Sequence, residues 1–221
     1  MFNFVQLSRS IKNVVYPVIG LVPPVLKEYQ ALYQSCTLRT EKLAELALIT
    51  GRIREGRARY EAVAAILCNG IPWWFIGIAH FMEAGLFYPK QFKYHLHCGD
   101  PLTGRTFHVP KGRPLHNPRH GILPPSLSNP YSWEESAVDA LRYMGYDKIK
   151  DWSVENCLFL FEKYNGGGYK KRKINSPYVW SYTNHYGAKP HIGKYDFDGK
   201  FNPILISKQP GVAAIMKFLE V

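Results

Sequence analysis

Apolar side chains recur at helix-compatible spacing from Thr40 to Leu67, at Leu43, Leu46, Ala47, Ile49, Ile53, Tyr60, Val63 and Ile66. This pattern predicts one long amphipathic helix. Gly51 and Gly56 weaken its middle, because glycine costs a helix about 1 kcal/mol relative to alanine. Two consecutive helices therefore fit equally well. Asn69-Gly70 ends the pattern, and Pro72 suits the first turn of the next helix. That segment, Pro72 to about Glu83, holds Trp73, Trp74, Phe75, Ile76, Ile78, Phe81 and Met82. A helix apolar almost all round is expected at the centre of its domain.

From Gly99 to Pro130 glycine and proline become frequent, and Thr106-Phe107-His108-Val109 reads as a strand after a turn at Thr103-Gly104. The prediction is a small β-hairpin and a long ordered loop. Helices resume at Ser132, an N-cap with Glu135 three residues on as a capping box, and run to about Tyr143. A further helix runs from the N-cap Ser153 to Lys163, burying Cys157, Leu158 and Leu160 or Phe161. Residues 164–207, rich in Gly, Tyr, Asn and Lys, read as loop with one short helix, and a last helix spans about Lys208 to Leu219. The first 37 or so residues mix apolar side chains with prolines and fit short helical pieces or a packed arm. The fold class is mainly α, of α+β type: a central buried helix, a small β-hairpin and surrounding helices. Residues 1–55 form a helical extension and 56–221 the main domain.

Composition narrows the class without choosing the function. With 46% apolar and 14% aromatic residues over 221 positions, the chain can bury a real core. No stretch reaches the roughly 18 continuous apolar residues that span a bilayer. The nearest, Val14 to Leu26, carries Pro17, Pro23 and Pro24 and lacks a small-residue cleavage site, so it does not read as a signal peptide. Cys36, Cys68, Cys98 and Cys157 include no C-x-x-C pair, which favours reduced, mostly buried thiols and synthesis in a cytoplasm. Lysine and arginine outnumber acids 28 to 17, a net charge of +11. Such a field gathers polyanions, whether nucleic acid, anionic wall polymer or membrane surface.

Glu83 stands at the end of the apolar helix, before Ala84-Gly85. A carboxyl emerging there into a cleft is partly desolvated, which favours the protonated form needed to give a proton to a glycosidic oxygen. The plainer alternative is a solvent-facing helix C-terminal glutamate. Asp100 and Thr106 fall on the predicted hairpin, where a carboxylate and a hydroxyl could hold a water or steady an oxocarbenium-like sugar. Against that, aspartate readily caps a turn through its own side chain. His95, His97 and Cys98 have the chemistry of zinc ligands, but no fourth ligand stands at matching spacing, and no metal or cofactor is expected. Tyr164-Asn165-Gly166-Gly167-Gly168-Tyr169 and Ser176-Pro177-Tyr178-Val179-Trp180 supply residue types that stack on and hydrogen-bond to sugars. Interleaved with Lys170, Lys171, Arg172 and Lys173, these aromatics also suit single-stranded nucleic acid.

Taken together, these segments resemble the lysozyme-like superfamily, which includes phage endolysins, goose-type lysozymes and lytic transglycosylases. The resemblance rests on Ile78-Ala79-His80-Phe81-Met82-Glu83, the run from His95 to Thr106, Val109-Pro110-Lys111-Gly112-Arg113-Pro114, Tyr164-Asn165-Gly166, Ser176 to Trp180 and Gly193-Lys194-Tyr195. It covers about residues 60–220. It implies a peptidoglycan muramidase in which Glu83 is the general acid and Asp100 and Thr106 act with it. His97, Tyr164, Asn165, Tyr178 and Trp180 would meet the glycan. Ala84 departs from the serine that usually follows the glutamate of transglycosylases, which favours the hydrolytic route over the anhydro-forming one. The expected partner is the glycan strand of peptidoglycan, not nucleic acid, with the basic surface drawn to anionic wall or membrane. The expected setting is a monomer made in the cytoplasm and acting on the wall. A metal-dependent wall amidase and a non-catalytic wall- or nucleic-acid-binding module are the alternatives.

Overall fold

A computed structural model describes residues 24–85, 91–108, 110–115, 131–166, 168–196 and 198–221. The beginning of the Val14–Leu26 segment, Val109 and the loop 116–130 lie outside them. The described part is mainly helical with one two-stranded antiparallel sheet, and none of its helices is long and apolar enough to cross a membrane. The chain divides into two compact units: residues 51–152, and residues 1–50 with 153–221.

In the 51–152 unit the predicted long helix is two, α2 (Leu43–Glu55, whose last turns belong here) and α3 (Arg57–Leu67), broken at Gly56. The hydrophobic helix α4 (Trp73–Ala84) buries Phe75, Ile76, Ile78, Ala79 and Met82 together with His80, as its mostly apolar surface requires, while Trp73, Trp74 and Phe81 are half-buried. Gly77 makes the close packing possible. A Cβ there would fall 2.7 Å from the Ile53 side chain and 2.9 Å from the Tyr60 ring. The capping box forms as expected: Glu135 N–H donates to Ser132 Oγ and Ser132 N–H to the Glu135 carboxylate, each at 3.1 Å, and starts α5 (Trp133–Tyr143). Arg59 joins α3 to α5 by a two-pronged ion pair with Glu134, its guanidinium 4.2 Å from the centre of the Phe92 ring and 5.7 Å from that of Trp133.

In the other unit α1 (Pro24–Gln34) packs along α6 (Val154–Tyr164), with the Tyr29 ring edge-on to Phe159 and stacked on Trp180. A short helix α7 (Gly168–Lys171) precedes α8 (Pro177–Trp180), and α8 packs on the closing helix α9 (Val212–Leu219). Ser153 occupies the N-cap of α6 without a side-chain cap bond.

The strand expected at Thr106–Val109 is absent among the described residues. An isolated bridge joins Tyr94 to Pro101 just before it, and Thr106 makes backbone bonds to Arg113 and Gly112 without forming a strand. The sheet lies instead in the region read as loop, where β1 (Lys194–Tyr195) pairs with β2 (Phe201–Asn202). Its turn is organised by Asp196, whose Oδ1 accepts the N–H groups of Asp198 and Lys200, in the way aspartate nucleates turns.

Candidate functional site

The C-terminal end of α4 meets the turn from His95 to Asp100. Gly99, at φ +69°, lies against it: a Cβ there would sit 3.6 Å from Ala84 Cα and 3.9 Å from the Glu83 carbonyl oxygen. Glu83 is half-buried at this end, and its charge reaches the Cys98 thiol. Burial first, then the neighbouring negative charges of Asp100 and Glu83, push that thiol up to about 12. Cys98 therefore stays protonated and donates to the Asp100 carboxylate.

Asp100 is 2% exposed. Its Oδ2 accepts the backbone N–H groups of Phe107 and His108 at 2.9 Å, and its Oδ1 lies 2.5 Å from His108 Nδ1. Burial acts to raise its pKa, but these bonds from His108 and Phe107, with that from Cys98, outweigh it and hold the carboxyl below the usual range. They also explain the missing strand: two N–H groups that a ladder would need are taken by a side chain. Thr106 is equally committed. Its hydroxyl donates to Pro110 O at 2.5 Å and accepts from Arg113 N–H at 2.9 Å, while its own N–H and carbonyl bond to Arg113 and Gly112. Arg113 in turn grips Asp139 of α5 through two bonds of 2.8 and 2.7 Å. Asp100 and Thr106 thus build the 100–113 loop, and the atoms expected to hold a water are engaged with the protein.

Burial lowers the pKa of His95, and its neutral ring bridges Ser136 Oγ at 2.6 Å and Gly104 O at 2.9 Å. A carbonyl only accepts, so Nε2 carries the proton and Nδ1 accepts from the serine. His97 is held at about 4, by burial first, with His95 and the Arg113 guanidinium acting in the same sense and Asp100 against it. Its two ring nitrogens are buried without a hydrogen-bond partner among the described residues. No group of three or more His, Cys, Asp or Glu side chains among those residues is placed to hold a metal ion. The zinc reading of His95, His97 and Cys98 finds no ligand set there.

Glu83, His97, Asp100 and Thr106 belong to the 51–152 unit, whereas Tyr164, Asn165, Tyr178 and Trp180 belong to the other. Trp180 differs from expectation. It is 1% exposed, with its ring between Tyr29 and His185, so it is a core residue with no face open to a sugar. Asn165 is buried and bonds to Ser176 Oγ at 3.1 Å. Tyr164, the last residue of α6, and Tyr178 in α8 are half-buried.

One chemically notable group escaped the sequence reading. Glu162 is 4% exposed on α6, and its Oε1 has no hydrogen-bond partner among the described residues. Burial, reinforced by Glu28 and opposed by Lys170, raises its pKa to about 7. The fully buried Tyr29 hydroxyl nearby also lacks a partner there. The signal was available: Leu158, Phe161, Glu162 and Asn165 follow the helical repeat, so a glutamate sits on the buried stripe.

Comparison with protein-family models, with curated proteins and with solved structures gave no match.

Proposed function

We propose that the protein is a peptidoglycan hydrolase that cleaves the bond between N-acetylmuramic acid and N-acetylglucosamine, with Glu83 as general acid. The observation that carries this reading is the position of Glu83: a half-buried residue at the end of an apolar helix, whose backbone packs against Gly99 and whose charge reaches the Cys98 thiol. Glu83 protonates the leaving oxygen as the glycosidic bond breaks, water adds at the sugar carbon, and the proton that the water gives up returns to the Glu83 carboxylate. Asp100 and Thr106 enter by fixing the loop beside that carboxyl. Their engaged polar atoms fit positioning better than direct attack. Loss of turbidity of permeabilised bacteria, abolished by Glu83→Gln in a protein with unchanged circular dichroism, tests the proposal. Mass spectrometry of the released muropeptides separates a hydrated reducing end from the 1,6-anhydro end of a transglycosylase.

The commitment of Asp100 and Thr106 also favours a second reading, a wall-binding module without hydrolysis. In that case the wild type and Glu83→Gln sediment equally with purified wall and neither releases fragments.

A further inference from the structure

Beyond β2 the chain exposes Pro203, Ile204, Leu205 and Ile206 in succession, with Ile204 80% exposed. Four consecutive outward apolar residues are unusual on a protein surface, and such clusters mark contact sites. The segment is held in place. Ile204 N–H bonds to Asn202 Oδ1, and the buried Tyr186 hydroxyl, which donates to Gly193 O, receives Ser207 N–H. Its backbone is anchored while its side chains face outward.

The same face is basic. Lys200 and Lys208 flank the run and are exposed. Arg172 lies over the Phe201 ring at 4.2 Å and donates to Tyr195 Oη, which brings the end of α7, with exposed Lys171 and Lys173, beside the sheet. Across residues 168–211 there are eight Lys or Arg and two Asp. Asp196 Oδ1 is occupied by the turn, and Asp198 is the other acid.

From this juxtaposition of an anchored, outward Ile204-Leu205-Ile206 run with a lysine and arginine rim, we infer that this face docks on an anionic lipid bilayer. A polar wall polymer or a nucleic acid would satisfy the lysines but give the isoleucines nothing. A bilayer surface takes both, with apolar side chains at the acyl boundary and lysines among anionic headgroups. The inference does not rest on the glycosidase reading, since its readout contains no glycan.

The full chain is centrifuged with vesicles of phosphatidylcholine alone and of phosphatidylcholine with phosphatidylglycerol, at low and high salt. Binding should require the anionic lipid and fall at least tenfold in high salt. Ile204→Asp, a change at an exposed position, should lower binding about tenfold, and Lys171→Glu with Lys173→Glu should do likewise, all with unchanged circular dichroism. Absence of vesicle binding by the wild type overturns the inference. So does a wild-type level of binding by Ile204→Asp, which would leave charge alone at work. Concentration-dependent dimers abolished by Ile204→Asp would assign the patch to self-association and overturn it too.

Discussion

His108 Nδ1 and Asp100 Oδ1 lie 2.5 Å apart, and the other oxygen of the same carboxylate closes the backbone N–H groups of Phe107 and His108. A single buried aspartate therefore holds the start of the 106–113 loop. Asp100→Ala strands two partly buried backbone donors and should cost about 2–3 kcal/mol, read as a lower urea midpoint. The carboxyl is held below its usual range in the fold, so its contribution is present above the unfolded value near ~4 and disappears as pH falls through the folded one. Wild type and variant should converge in stability under acid. An unchanged gap between them at low pH would contradict the assignment.

Glu162 behaves in the opposite sense. Its pKa is raised from 4.5 to about 7, so the folded state holds a proton that the unfolded state releases. Stability is full below about 4.5 and declines as pH rises through 7, by up to about 3 kcal/mol. Glu162→Gln mimics the protonated form and should flatten this slope. Urea melts of both proteins at pH 5 and pH 8 provide the check; parallel slopes would remove Glu162 as the source.

Tyr29 carries a buried hydroxyl with no described partner. Removing an unsatisfied polar group is neutral or favourable, so Tyr29→Phe should leave the thermal midpoint unchanged or higher. A drop of several degrees would mean that the hydroxyl bonds to something in solution.

Packing at Gly77 leaves no room for a methyl group, given the 2.7 Å approach to Ile53. Gly77→Ala should destabilise by about 1–3 kcal/mol through overpacking, despite alanine's better helix propensity. A stabilised variant would show that α4 shifts freely against Ile53 and Tyr60.

Glu83→Gln should reduce turbidity clearance by at least about 100-fold, the size general acid catalysis commonly contributes. Glu162→Gln, in the other unit, should leave clearance within about twofold at pH 6. If the two variants exchange these outcomes, the acid has been placed on the wrong helix.

The helices were legible because their signals are local. Apolar spacing marked α2 to α4, Gly56 marked a break, and Ser132 with Glu135 marked the start of α5. What misled was non-local. Thr106 to His108 has strand-like residues, but the Asp100 carboxylate, expected on the same hairpin, takes the backbone N–H groups of Phe107 and His108 that a strand would use. The true sheet has strands of two residues each, too short for alternation to show, although Asp198-Gly199 was a turn signal in plain view. Trp180 looked like a sugar platform by residue type alone; Tyr29, some 150 positions away in the chain, is what covers it. For Glu83 the sequence indicated a helix end, and the structure adds the Gly99 turn against it.

Arg59 lies near two aromatic rings while its guanidinium forks onto Glu134. Its planarity therefore matters as much as its charge, since a flat cation can present a face to each ring and an edge to a carboxylate at once. Lysine, with a round and strongly hydrated head, would preserve the electrostatics on paper and lose the stacking. The α3–α5 seam is accordingly selective for shape at a position that a simple charge tally would treat as interchangeable.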